Sequence, residues 1–227
     1  MRLRCIQHVP FEDAGAIATW ARARGHAFEV TMSLTENYPS PDDFDWLVVM
    51  GGPMGVHDEA RHPWLLTEKA LIRNAVKLRK RVLGVCLGAQ LVANVLDAEV
   101  GRNPEPEIGW FPVDILTDQP PFDVLPRTFT PLHWHGDTFT LPEGATHAAC
   151  SAACENQAFV LAEGRIVGLQ FHLESTPEGV ARLVENCADE LVASQWVVQA
   201  GELLGAEARF AEAHTVLFAM LDRMATL

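Results

Sequence analysis

The sequence has little positive charge for its size. Of 227 residues, 17 are Lys or Arg and 30 are Asp or Glu, giving a formal net charge of −13. Nucleic acids and membrane surfaces are themselves anionic, so the chain is a poor candidate for a general binder of either. No apolar run approaches the roughly 18 residues of a transmembrane helix, and none is expected. The N-terminal stretch, Met1 to Val9, is too short in its apolar part to read as a signal peptide, which points to the cytoplasm. Five cysteines at irregular positions do not suggest a disulfide framework. The spacing of Cys150 and Cys154 is not a usual zinc pattern. No G-x-x-x-x-G-K-S/T phosphate loop, internal repeat or low-complexity linker occurs.

What is present is a globular composition, with 48% apolar and 21% charged residues. The length suits one α/β domain, or such a domain with a helical extension. Leu3 to Val9, Ala27 to Leu34 and Asp45 to Met50 read as strands, with a helix over Ala14 to Arg24 between the first two. That order implies a parallel sheet with right-handed crossovers. Pro63 to Lys80 reads as a helix whose basic end complements the helix dipole. Beyond Ala98 the pattern changes. Ile108 to Leu116, Phe129 running into a tight turn at Gly136-Asp137, Ala145 to Cys150, Gln157 to Ala162 and Arg165 to Phe171 read as strands with few helices between them. An antiparallel addition to the sheet is expected there, with Glu163-Gly164 as a hairpin turn. Thr176 and Pro177 then look like the N-cap and first residue of a helix. Long helices are expected over about 177–199 and 206–227. The second has an apolar face of Ala211, Val216, Leu217, Met220, Leu221 and Met224, which can pack on the chain's own sheet or on a partner.

Three stretches can carry chemistry. The first is Gly84-Val85-Cys86-Leu87-Gly88, an apolar strand that runs into G-x-C-x-G. This is the spacing of a nucleophile elbow, a strained strand-to-helix turn whose flanking positions must lack bulk. The cysteine would lie near a helix N-terminus, whose partial positive charge favours thiolate. The amide of Leu87 would point where an oxyanion forms. A buried core cysteine beside two turn glycines is the plainer alternative. The second is Gly51-Gly52-Pro53-Met54-Gly55, directly after the third strand. Ligands bind at the carboxyl ends of strands in open α/β sheets, and glycines there admit close backbone approach. An ordinary turn has the same composition. The third is His172-x-Glu174 at a strand end, where the glutamate could orient the imidazole as base for a thiol. An exposed polar pair is its alternative. His133-x-His135 also invites a metal reading, but no third ligand has clear spacing, and no metal or cofactor is expected.

Together, Gly84-Val85-Cys86-Leu87-Gly88-Ala89-Gln90, Phe171-His172-Leu173-Glu174 and Gly51-Gly52-Pro53 resemble the class I, triad-type glutamine amidotransferase domain, most of all the glutaminase domain of GMP synthase and its stand-alone relatives. The resemblance runs from about Leu3 to Pro177. It implies an α/β fold: an open, mostly parallel, flavodoxin-like sheet flanked by helices, with an antiparallel strand addition. The domain would span 1–176, and a C-terminal helical extension over 177–227 would pack on it. The resemblance also implies that Cys86 attacks the side-chain amide of glutamine. His172 would be base and then acid, Glu174 would orient it, and the Gly52 and Leu87 amides would hold the oxyanion. Gln90 and the stretch Trp134-His135-Gly136-Asp137 would hold the substrate, with Trp134, Gly136 and Asp137 as binding positions. Trp134 stands where the family often has a small polar residue. The chain carries no ammonia-consuming domain, so the expected partners are glutamine or another γ-glutamyl compound, a synthase subunit in trans, or a second copy of the chain. A γ-glutamyl hydrolase or peptidase uses the same thioester, and a non-catalytic binding protein is the remaining class.

Overall fold

The computed structural model describes residues 1–34 and 37–227. Nine strands form one sheet. In chain order they are β1 (Arg2–Gln7), β2 (Ala27–Met32), β3 (Trp46–Val49), β4 (Arg81–Val85), β6 (Val113–Ile115), β7 (Thr128–Phe129), β9 (Thr146–Ser151), β10 (Ala158–Leu161) and β11 (Ile166–Leu169). A separate antiparallel pair joins β5 (Val100–Trp110) to β8 (Leu132–Phe139). The large sheet runs β2-β1-β3-β4-β11-β10-β9-β6-β7. From β2 to β11 every pairing is parallel, and from β11 to β7 every pairing is antiparallel. The fold is therefore the mostly parallel α/β sheet with an antiparallel addition that the sequence implies.

The central strands are apolar on both faces because helices cover both. Val48, Met50, Leu83 and Val85 face one core with Ile17 and Trp20 of α1 (Gly15–Ala23). Leu47, Val49 and Val82 face a second core with Leu65 and Ile72 of α2 (Trp64–Lys77) and Leu91 of α3 (Leu87–Val95). This alternation is the two-residue period of a strand. Sequence order reverses direction across the sheet at β1 and β3, so a crevice opens beyond their carboxyl ends.

Several boundaries differ from the sequence reading. The strand expected over Ile108 to Leu116 is two strands, broken at Phe111-Pro112, and the first of them belongs to the small sheet. Pro112 has no N–H for a ladder, which accounts for the break. No tight turn occurs at Gly136-Asp137. β8 continues through both to Phe139, paired with β5 across a register shift. Between β10 and β11 the chain makes a short 3-10 turn over Ala162–Gly164, with positive φ at all three residues. The first C-terminal helix is shorter than expected. Thr176 caps it through the Gly179 amide at 3.1 Å, but α4 (Pro177–Asn186) stops before Cys187. A 3-10 turn (Ala188–Glu190) and α5 (Ala200–Leu204) follow, and Gly201 lies inside α5.

The last helix, α6 (Glu207–Ala225), buries Ala213 rather than Ala211, with Val216, Leu217, Met220, Leu221 and Met224. The stripe is spaced by three and four, as a core-facing helix requires. Its apolar face is taken up by this chain's own core. Asp222 accepts from Trp20 Nε1 at 2.8 Å and pairs with Arg24 at 2.7 Å, while Arg81 Nε donates to the Met224 carbonyl at 2.9 Å.

The approach of α3 to β3 is close enough to exclude any side chain. A Cβ on Gly88 would overlap the carbonyl oxygen of Val49, and one on Gly84 would overlap the backbone of Gly88 and Ala89. Backbone cannot yield as a side chain does. Gly88→Ala is therefore expected to destabilise the protein by about 2 kcal/mol or more in a urea titration, whereas Gly101→Ala, where a Cβ meets nothing within 4 Å, should change little.

Candidate active site

Cys86 follows β4 directly and precedes α3. Its backbone has φ 52° and ψ −111°. A non-glycine residue in this region is strained, and such strain collects at functional turns. Cys86 is 8% exposed. It faces the Trp134 carbonyl at 3.6 Å and accepts from Gln170 Nε2 at 3.7 Å. As the first residue of α3, Leu87 has a backbone N–H with no acceptor within its helix.

His172 lies beyond the end of β11, so it and Glu174 do not share a strand face as the sequence suggests. An isolated bridge between His172 and Leu132 of β8 holds the segment instead. The imidazole Nδ1 and Glu174 Oε1 are 2.7 Å apart, and both side chains are buried. Burial opposes a charged His172. The Glu174 carboxylate and the Cys86 thiol outweigh that, and the pKa is raised well above the ordinary histidine value.

Gly52, Cys86, Leu87, Gln90, Trp134, Gly136 and Asp137 line one cavity of about 790 Å³. His172 and Glu174 line a small adjoining one. The expected site residues are thus brought to one end of the sheet. Within it, the Gln90 amide donates to Gln170 Oε1 at 3.1 Å. The Trp134 indole donates to Glu190 Oε2 at 2.8 Å, which ties the small sheet to the turn after α4. Asp137 pairs with Arg102 at 3.3 Å.

Other residues of the site escape a sequence reading. Gln170 stands between Gln90 and Cys86. Leu183, Cys187, Glu190 and Val192 give the cavity a wall from the C-terminal region. Glu12 lines both cavities. Burial pushes its carboxyl up to about 7 against the pull of His172 and His8, and Glu174 and Glu190 push the same way as burial. Gly51 and Gly52 rest on His8, whose Nδ1–H donates to the Gly51 carbonyl at 2.8 Å. His8 Nε2 faces Glu68 Oε1 at 2.8 Å, and Glu68 Oε2 accepts from Tyr38 at 2.7 Å and Ser33 at 3.2 Å. Both His8 nitrogens therefore meet acceptors. Burial alone would lower its pKa, but the Glu68 carboxylate carries it above the ordinary value. These residues are far apart in sequence, and no local pattern announces them.

Glu107, His133 and His135 bring donor atoms within 4.8 Å of one another, so they are the residues that could hold a metal among those described. His133 Nε2 faces the Phe111 carbonyl at 3.1 Å and His135 Nδ1 the Asp137 carbonyl at 3.0 Å. Glu107 Oε2 accepts from Gln157 Nε2 at 2.6 Å and from Ser151 at 3.1 Å. Protein donors thus meet Oε2, whereas Glu107 Oε1 is buried with no hydrogen-bond partner, and the group braces β8 from the β5 side. Burial drives the His133 pKa down to about 4, so that ring is neutral.

The His8–Glu68 pair gives a pH signature. A raised folded pKa stabilises the protein fully below the unfolded histidine value of about 6.5, and that contribution is lost as pH rises through the folded value. Glu68→Gln should therefore cost about 3 kcal/mol or more at pH 6. The gap to the parent should narrow towards pH 9, as read by denaturation midpoints at the two pH values.

The glutamine amidotransferase class-I family model matches residues 16–191. The glutamine amidotransferase-like protein YfeJ of Salmonella typhimurium is 36% identical over 208 residues, covering 86% of this chain and 84% of that protein. A subunit of the glutamine-hydrolyzing GMP synthase of Sulfurisphaera tokodaii is 33% identical over 159 residues, covering 64% of this chain and 78% of that protein. The crystal structure of a glutamine amidotransferase from Thermotoga maritima superposes with a TM-score of 0.91 at 35% identity, over 100% of this chain and 99% of that one. With the elbow, the paired histidine and the sheet order agreeing with these matches, the chain belongs to the class-I glutamine amidotransferase family.

Proposed function

We propose that this protein is a cysteine-dependent amidohydrolase that releases ammonia from glutamine through a γ-glutamyl thioester on Cys86. The observation that carries the reading is the elbow itself. A strained cysteine opens a helix, shares a cavity with the strand-end Gly52, and interacts with a buried histidine that is 2.7 Å from a carboxylate. In this reading His172 takes the thiol proton, and the sulfur attacks the amide carbon. The oxyanion is held by the Gly52 and Leu87 amides, backbone donors fixed before the charge develops. His172 then gives its proton to the departing ammonia, and Glu174 stabilises the imidazolium throughout. Water hydrolyses the thioester. Gln90, Trp134, Gly136 and Asp137 hold the amino-acid end of the donor.

The relatives support an acceptor in trans. One of them is named as a subunit of GMP synthase, and this chain spans 78% of it. We infer that a synthase partner covering the cavity mouth would receive the ammonia. A second reading, hydrolysis of larger γ-glutamyl amides, is favoured by the size of the cavity, about 790 Å³, which exceeds what free glutamine fills.

Cys86→Ala should reduce ammonia release from glutamine by at least about 10³-fold in kcat. Glu174→Gln should lower kcat with little change in KM, because its work is on the imidazolium formed during reaction. Coupled ammonia assays with the purified protein measure both. Undiminished turnover by Cys86→Ala would remove the reading.

A further inference from the structure

The Glu12 carboxylate is placed where a substrate charge would meet it. It lines the cavity that holds Cys86 and the smaller one that holds His172 and Glu174. A Cβ built on Gly51 would run into Glu12 Oε2, and the same point lies 3.3 Å from His172 Cε1 and 3.5 Å from the Cys86 Cβ. The Glu12 carboxylate, the His172 imidazole and the Cβ of Cys86 therefore surround one small volume beside Gly51. The other carboxylates nearby are engaged. Glu174 is bonded to His172, Glu68 to His8, and Glu190 to the Trp134 indole. Among the described residues none hydrogen-bonds or ion-pairs to the carboxylate of Glu12.

We propose that Glu12 is a specificity-determining residue that receives an ammonium group on the leaving side of the donor, so that the preferred substrates are γ-glutamyl amides of cationic amines. The proposal rests on the second reading above, hydrolysis of larger γ-glutamyl amides by the same thioester chemistry, and narrows its substrate class. Side is decided by neighbours. The amino-acid end of the donor is assigned to Gln90 and the Trp134–Asp137 stretch, whereas Glu12 flanks His172, which protonates the departing nitrogen. Size is decided by the cavity, whose wall of Leu183, Cys187 and Glu190 leaves room beyond a simple amide. The charges that act most on Glu12 are His172 and His8, each already facing its own carboxylate, and the like-charged Glu174 and Glu190. Burial beside two other carboxylates makes an unpaired anion costly there, and an incoming cation relieves that cost.

The chemistry is unchanged in form. The sulfur–carbon bond forms, and the carbon–nitrogen bond breaks. The proton that His172 took from the thiol leaves on the released amine, and water then returns glutamate and the free thiol. The far ammonium of the amine takes no part in bond making, and Glu12 acts on binding.

Two experiments on the full chain test this. In the first, kcat/KM is measured for glutamine, N-acetylglutamine, the γ-glutamyl amide of ethylenediamine and its uncharged isostere, the γ-glutamyl propylamide. The parent should favour the charged amide over the propylamide. Glu12→Gln should reduce that preference roughly tenfold, chiefly through KM. Equal treatment of the two amides by the parent, or an equal loss on both in the variant, would overturn the proposal. A variant that impairs glutamine but not N-acetylglutamine would move the contact to the α-ammonium and overturn the leaving-side assignment. In the second, Cys86 is labelled with cationic (trimethylammonioethyl) or anionic (sulfonatoethyl) methanethiosulfonate and the modified peptide is quantified by mass. The thiolate displaces methanesulfinate and a disulfide forms. The cationic reagent should react faster in the parent, with the ratio falling several-fold in Glu12→Gln and holding in Glu155→Gln at a distant exposed site. An unchanged ratio in Glu12→Gln counts against the proposal. Because the parent itself must show the cation preference, a poorly folded variant cannot hide a failure. Absence of turnover on every donor would instead sink the amidohydrolase reading.

Discussion

The close approach of α3 to the end of β3 sets the rest of the site. Gly88 lies so near the Val49 carbonyl that no side chain fits between them, and a Cβ on Gly84 would overlap the backbone of Gly88 and Ala89. That packing brings the helix start down onto the sheet and leaves Cys86 to absorb the turn with φ 52°. The same contact fixes where β3 ends. Gly51 and Gly52 follow it, Gly52 lining the main cavity beside Leu87 and Gly51 the small adjoining one. A looser junction would relax the cysteine and move it away from the strand-end glycines at once.

Three buried histidine–carboxylate groupings then hold the walls. His172 with Glu174 stands beside the thiol, His8 with Glu68 carries the Gly51 carbonyl, and His133 and His135 with Glu107 brace β8 from the β5 side. A buried charge is tolerated only where a partner and hydrogen bonds meet it. His172 with Glu174 and His8 with Glu68 meet this through contacts of 2.7 and 2.8 Å, whereas Glu107 is met at Oε2 and its buried Oε1 has no hydrogen-bond partner. Glu12 has no grouping of this kind. Its carboxylate has no such partner among the described residues and lines the cavity instead. The C-terminal region belongs to the same construction, because Glu190 holds the Trp134 indole while α6 closes the core beneath α1.

Much of this was legible in the sequence because the signals were local. The elbow, the glycine pair after β3 and the spacing of His172 and Glu174 each occupy a few residues, and apolar runs mark β1, β3 and β4. Position on the chain was less informative where tertiary contacts decide. Pro112 splits one expected strand in two. β8 runs straight through Gly136 because β5 pairs with it, although glycine followed by aspartate reads as a turn. The helix expected to reach residue 199 ends at Asn186, and the chain beyond it folds back so that Glu190 and Val192 line the cavity. Glu12, His8, Glu68 and Gln170 matter through neighbours distant in sequence, and no spacing rule reaches them.

The covalent state of Cys86 during turnover is the most direct test of the mechanism. Protein mixed with excess glutamine and quenched in acid within the first turnovers should be heavier by one γ-glutamyl group, with the added mass confined to the peptide that contains Cys86. Sustained ammonia release with no adduct on that peptide, or with the adduct on another residue, would contradict it.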